Sequence, residues 1–249
     1  GYPDGSFRPD EPVSVAASLK VLLLAQGFAP APEAEASESD PWYANYWYAG
    51  YLSTARALGL GGVPDDPDAL LGSLSRADLS ELLLGLERVR ARNSGAALPS
   101  SGCGPALARP ELDKVEEGGL ERDLLVRLPA AYDPRRPYPL VLAFHGRTNS
   151  NAEAARYYGL EDAGAEAVYV YPAGVPVAGG YTWTADGDGL AFFDALLNTL
   201  AGAYCTDLGR VFAVGHSLGA SYVNALGCAR GEVLRGVAAV AGGRPYGPC

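Results

Sequence analysis

Gly215-His216-Ser217-Leu218-Gly219 places a serine between two glycines at fixed spacing. The pentapeptide follows the apolar run Arg210–Val214 and precedes the helical run Leu218–Ala229. A strand that turns sharply into a helix through such a sequence lifts the serine hydroxyl clear of a sheet, and the glycines admit backbone where a Cβ would clash. The chemistry expected is acyl transfer. Ser217 attacks a carbonyl carbon, and the Leu218 backbone N–H, at the N-terminus of the helix, meets the oxyanion that forms. The alternative is a tight turn that merely contains a serine, and the match of both flanking elements argues against it.

The elements that must position Ser217 are legible from Leu120 onward, where apolar runs alternate with helical stretches, as in a mainly parallel sheet with crossover helices. Strands are expected at Leu124–Leu128, Leu140–Phe144, Val168–Tyr171, Val211–Val214 and Val237–Ala241, and helices at Ala152–Leu160, Leu190–Ala203 and Leu218–Ala229. Runs such as VLAF, VYVY and VFAV read as strands buried on both faces. Asp186, Asp188 and Asp194 precede the nucleophile at a helix start or within the helix, and Asp188 suits an N-cap.

Residues 1–92 differ in texture from residues 105–249, and the stretch 93–104 (NSGAALPSSGCG) has the Ser, Gly and Ala content of a linker. Two helical apolar stretches, Val13–Leu24 and Leu74–Val89, each open with a serine suited to N-capping. Between them Trp42, Tyr43, Tyr46, Trp47, Tyr48 and Tyr51 lead into a helical segment, Ala49–Leu58, and are expected to pack a small core. The order of turns and helices repeats weakly.

Of the 249 residues, 48% are hydrophobic and 19% charged, the range of ordinary globular proteins. The formal charge of −10 argues against nucleic acid as a partner, because phosphate binding rests on clustered Lys and Arg. No apolar run approaches the roughly 18–20 residues that span a bilayer. The chain opens on Gly1 without a charged and then apolar leader, so any targeting segment is expected to have been removed or not captured. Four cysteines, Cys103, Cys205, Cys228 and Cys249, lack C-x-x-C spacing and suit disulfides in an oxidising compartment.

Two resemblances add to this reading. GYPDGSFRP at Gly1–Pro9 and SRAD at Ser75–Asp78 resemble the turn and helix start of S-layer homology modules, across about residues 1–92. The first helix start, Ser14-Val15-Ala16-Ala17, lacks the basic and acidic pair, and the second turn has lost the Tyr-Pro-Asp-Gly form. Such modules bind cell-wall polysaccharide in sets of three, which makes Arg76 and Asp4 the candidate contacts; a solvated first helical turn is the plainer role for Arg76 and Asp78.

SGCG at Ser101–Gly104, RLPAAYD at Arg127–Asp133, FHGRTNSN at Phe144–Asn151, YYGLE at Tyr157–Glu161, YPAG at Tyr171–Gly174, GHSLGA at Gly215–Ala220 and VAGG at Val240–Gly243 resemble the extracellular feruloyl esterase and polyhydroxybutyrate depolymerase group. The fold this implies is α/β, an α/β-hydrolase sheet beside a small, mainly helical domain. The activity implied is hydrolysis of a carboxylic ester through a Ser217 acyl-enzyme, with no metal or organic cofactor. The family places a second oxyanion donor after the third strand, where the Arg147 backbone N–H falls. Trp183 matches an aromatic near the pocket, with core filler as its alternative, and His145 and His216 are further candidates for substrate contact. His145 as general base is the weaker reading, since a histidine beside that loop more often holds it by hydrogen bonds. The connectivity of the cysteines is open among three pairings, and Cys205 with Cys228 and Cys103 with Cys249 is the expectation.

In this fold an Asp or Glu and then a His follow the nucleophile. Residues 218–249 contain no Asp and no His, and their one acid is Glu232. Val237–Ala241 reads as the sixth strand, so the sheet is expected to be truncated there and this chain alone to be inactive. A surface-anchored binding protein with a degenerate hydrolase half is the alternative from another class, and a polyhydroxyalkanoate depolymerase the alternative within the same one. The combined expectation is an esterase of polymer esters held at a bacterial cell surface.

Overall fold

A computed structural model describes residues 13–30, 48–104, 111–163, 165–184 and 186–243. The chain divides into two compact units, Gly1–Val89 and Arg90–Cys249.

The first unit is helical among its described residues: α1 (Val15–Ala25), α2 (Ala49–Ala57), α3 (Pro67–Leu71) and the start of α4 (Arg76–Ser94). Leu19, Leu23, Leu52, Leu70, Leu82 and Leu86 share one core with Tyr48. The starts of α1, α3 and α4 are each closed by a short polar side chain that accepts a backbone N–H left without a helical partner, whereas α2 has none. Ser14 Oγ accepts from Ala17 N at 3.2 Å, and Asp66 Oδ1 from Ala69 N at 2.9 Å with Pro67 in the first turn. Ser75 and Asp78 cap α4 reciprocally: Asp78 N donates to Ser75 Oγ at 3.1 Å and Ser75 N to Asp78 Oδ2 at 3.0 Å. The segments leading into α1 and α4 lie side by side as an antiparallel bridge between Ser14 and Ser73, with Leu74 N donating to Val13 O at 3.0 Å. Most of the aromatic cluster, Trp42 to Trp47, and Asp4 lie outside the described residues.

The second unit is a mixed sheet with helices on both faces. Its strands are β1 (Lys114–Glu117), β2 (Leu120–Arg127), β3 (Tyr138–Phe144), β4 (Val168–Pro172), β7 (Thr206–His216) and β8 (Gly236–Val240), and β5 (Val175–Val177) with β6 (Gly180–Thr182) makes a separate hairpin. The strand order is β1-β2-β4-β3-β7-β8; β3 is parallel to β4 and β7, β8 is parallel to β7, and β1 and β2 are antiparallel. Alternate residues of β3 divide the core. Leu140, Leu142 and Phe144 face α6 (Gly187–Ala203) and α7 (Leu218–Ala229), whereas Val141 and Ala143 face α5 (Asn151–Tyr158).

The five expected strands and three expected helices are present with small shifts of boundary. Sequence reading missed β1, whose Lys-Val-Glu-Glu run is mostly charged and lies on the sheet edge. The α6 cap is Asp186 and not the expected Asp188, the Asp186 carboxylate accepting from Gly189 N at 3.2 Å.

The stretch read as a linker is fastened to the second unit along its last residues. Ser100 N donates to Thr206 O at 2.9 Å, Gly102 N to Ala201 O at 2.7 Å, and Leu98 N to the buried Asp207 carboxylate at 2.9 Å. This strap carries Cys103 to Cys205, and the two form a disulfide. The expected Cys205–Cys228 pair is therefore corrected, and Cys103–Cys249 with it. Pairing depends on where the strap lies against β7, which a linker reading leaves open. Cys228 is also disulfide-bonded, and Cys249 lies outside the described residues.

Candidate active site

Ser217 stands between the end of β7 and the first residue of α7, with φ 55° and ψ −117°. That backbone region is strained for an L-residue, at a cost on the order of 1–3 kcal/mol, and persists only where the surroundings enforce it. The enforcement is visible. Ser217 N donates to Val240 O of β8 at 2.9 Å, and Ser217 O accepts from Ser221 N at 3.1 Å. A Cβ on Gly215 would overlap Gly219 O, and one on Gly219 would overlap Phe144 O. Both glycines of the pentapeptide are thus required by close backbone approach. Ser217 is exposed, and its hydroxyl makes no capping bond to α7.

The loop after β3 flanks the serine. A Cβ on Gly146 would lie 3.5 Å from Ser217 Cβ, 3.5 Å from His216 Nδ1 and 3.2 Å from Asn149 Oδ1, so this loop lies within van der Waals reach of the serine. His145 is fully buried. Its Nε2 accepts from Gly174 N at 3.0 Å, which leaves the proton on Nδ1, and Nδ1 donates to Gly146 O at 2.8 Å. Gly146 O also accepts from Asn149 N at 3.1 Å. That carbonyl belongs to the peptide group whose N–H is Arg147 N–H, so His145 orients the candidate oxyanion donor and strengthens it by polarisation. Burial pushes the His145 imidazole below its ordinary range, which favours the neutral form this network needs.

His145 is thus buried and engaged at both ring nitrogens in holding the loop, the commoner role expected of it, rather than open to substrate as its other expected role requires. Trp183 sits in the core, the second of its two expected roles. Its ring stacks on Tyr222 with centroids 5.4 Å apart, meets Phe144 edge-on, and donates Nε1–H to His145 O at 2.8 Å. Large aromatics with a satisfied N–H belong to the core. His216 is half-buried, and its Nδ1 shares a hydrogen bond with Tyr157 Oη at 3.3 Å.

Residues missed in the sequence complete the frame. The β5–β6 hairpin braces the loop from the far side: Tyr181 N donates to Arg147 O at 2.7 Å, and a Cβ on Gly180 would overlap Arg147 O. The Ala178-Gly179 turn, with Gly179 at φ 79°, was the available signal for this hairpin. Arg76 is exposed at the first residue of α4, and Asp78 spends its carboxylate on the cap. Among the described residues no group of three or more His, Cys, Asp or Glu side chains is arranged to hold a metal ion, and no helix is long and apolar enough to cross a membrane.

The chain is 32% identical to feruloyl esterase D of Neurospora crassa over 168 residues, which is 61% of this chain and 57% of that protein. It is 31% identical to feruloyl esterase C of Emericella nidulans over 151 residues, 58% of this chain and 54% of that protein. The chain thus spans about half the length of the curated relatives it matches. No family profile matches. Among solved structures, a ferulic acid esterase aligns at 17% identity with a TM-score of 0.43, covering 53% of this chain and 57% of that one.

Proposed function

We propose that the second unit is the nucleophile-bearing part of a secreted serine esterase of α/β-hydrolase type that acts on carboxylic esters of polymers, of the feruloyl or acetylxylan kind. The observation that carries this reading is Ser217: exposed, uncommitted, and held in strained backbone at a helix N-terminus beside a braced Gly146 loop. The similarity to feruloyl esterases supports the ester as substrate. The Cys103–Cys205 disulfide supports an oxidising compartment.

In the proposed reaction Ser217 Oγ attacks the ester carbonyl carbon, and the tetrahedral oxyanion is received by the backbone N–H groups of Leu218 and Arg147. Collapse expels the alcohol and leaves an acyl-enzyme, which water then hydrolyses. The serine proton needs a base. His145 cannot serve, because both ring nitrogens are engaged and the ring is buried. His216 shares a hydrogen bond with Tyr157 at Nδ1 and is next to Ser217 in the chain, a poor position from which to take its proton. No base for this proton is assigned among the described residues, and residues 1–249 alone are proposed to be inactive.

Expression from the full reading frame tests the proposal, with methyl ferulate and a short-chain chromogenic ester as substrates. Hydrolysis that falls at least about 10³-fold in Ser217→Ala supports it. A folded protein that hydrolyses neither ester sinks it and favours a binding protein.

The first unit is proposed to bind cell-wall polysaccharide and anchor the enzyme at a bacterial surface. The side-by-side approach of the segments entering α1 and α4 supports an internal repeat. Residues 1–92 should then sediment with purified cell wall, and a soluble fraction that retains all of the protein removes the anchor.

A further inference from the structure

We propose that Tyr157 is a specificity-determining residue of the Ser217 site, its exposed ring forming the platform on which an aromatic acyl group of the ester lies. The proposal rests on the esterase reading and adds to it the residue that prefers a planar acyl group over a saturated one.

Two adjacent tyrosines end α5, and they behave differently. Tyr158 turns inward, its hydroxyl donating to Phe144 O at 2.8 Å. Tyr157 is left 47% exposed, unusual for an aromatic ring that is nonetheless fixed in place. Its hydroxyl is tied to His216 Nδ1 at 3.3 Å, and its ring stands nearly perpendicular to those of His216 and Tyr158, with interplanar angles of 83° and 72°. His216 Nδ1 and Ser217 Cβ both border the space over Gly146, so the Tyr157 hydroxyl is one side chain removed from the nucleophile.

Because the phenol hydroxyl is engaged by His216, what remains for a ligand is the exposed part of the ring. A face offers stacking to a planar ring rather than hydrogen bonds to a hydroxyl-rich one. A ring held in advance at its edge loses little freedom on binding, so the stacking energy is kept as affinity. A saturated acyl group of the same length gains no such stacking.

The test uses equilibrium binding to the Ser217→Ala protein, which reads the pocket without turnover. Calorimetric titrations with methyl ferulate and with methyl 3-cyclohexylpropanoate compare a planar with a saturated acyl ring. Adding Tyr157→Ala is expected to weaken methyl ferulate about tenfold, as the loss of one aromatic pair predicts, and to leave the cyclohexyl ester within about twofold. Adding Tyr157→Phe should keep methyl ferulate within about threefold, because the ring stays. Equal losses for both esters, or no loss for either, overturn the proposal. Ser217-dependent hydrolysis of methyl ferulate alongside an indifferent Tyr157→Ala removes this proposal and leaves the esterase reading standing. If neither ester binds the Ser217→Ala protein, the two fall together.

Discussion

Ser75-Arg76-Ala77-Asp78 in the first unit and Gly215-His216-Ser217-Leu218-Gly219 in the second are both short motifs at the start of a helix. In the first, Ser75 and Asp78 bond each other's backbone N–H groups, so these two side chains are consumed in starting α4, with Arg76 left exposed. In the second, the backbone is strained, the glycines are required by overlap, and the Ser217 side chain is left exposed and unbonded to the helix. The contrast separates a motif that serves its own fold from one that the fold serves.

Substitution at Ser217 should separate function from stability most widely. Ser217→Ala is expected to lower hydrolysis at least about 10³-fold in the protein from the full reading frame while shifting stability by less than about 0.5 kcal/mol. Ser217→Gly should be equally inactive but more stable by about 1–2 kcal/mol, since glycine relieves the strain. Chemical denaturation of both variants checks this, and a destabilised Ser217→Gly protein would show that the elbow is not strained.

Next in size is the strap. The Cys103–Cys205 disulfide closes a loop with a sequence separation of 102 residues. Cys103→Ser is expected to cost about 2–5 kcal/mol, read from the denaturation midpoint of the second unit.

In the first unit the effects should be smaller and purely structural. Ser75→Ala is expected to cost about 1 kcal/mol through loss of the α4 cap, and Arg76→Ala to leave stability unchanged. If Arg76→Ala nevertheless abolishes sedimentation with cell wall, the motif carries function beyond its cap.

The smallest effect is with pH. Burial holds the His145 pKa below its ordinary value of 6.5, so on acidification the unfolded chain takes up this proton before the folded one does. The stability contributed by neutral His145 is therefore complete above about pH 6.5 and drains as pH falls below it. Asp78, Glu153 and Asp186, drawn below their ordinary range by hydrogen bonds, act at lower pH. Urea midpoints between pH 7.5 and 5.5 should fall, and His145→Gln should remove most of that slope. An unchanged slope in the variant would assign it to another group.

What the sequence determined by itself was local. Period and punctuation place β3, β4, β7 and α7, because a strand buried on both faces must be apolar throughout and the turn into α7 must have glycine where Gly215 and Gly219 stand. The roles of His145, Trp183 and Cys205 depend on partners far along the chain: Gly174, Tyr222 and Cys103. Only the tertiary structure decided these, since a hydrogen bond, a stacked ring or a disulfide needs two groups at contact distance, and spacing along one segment says nothing of what a distant one brings there. The same holds for Tyr157, whose contact with His216 is set by how α5 packs on the sheet.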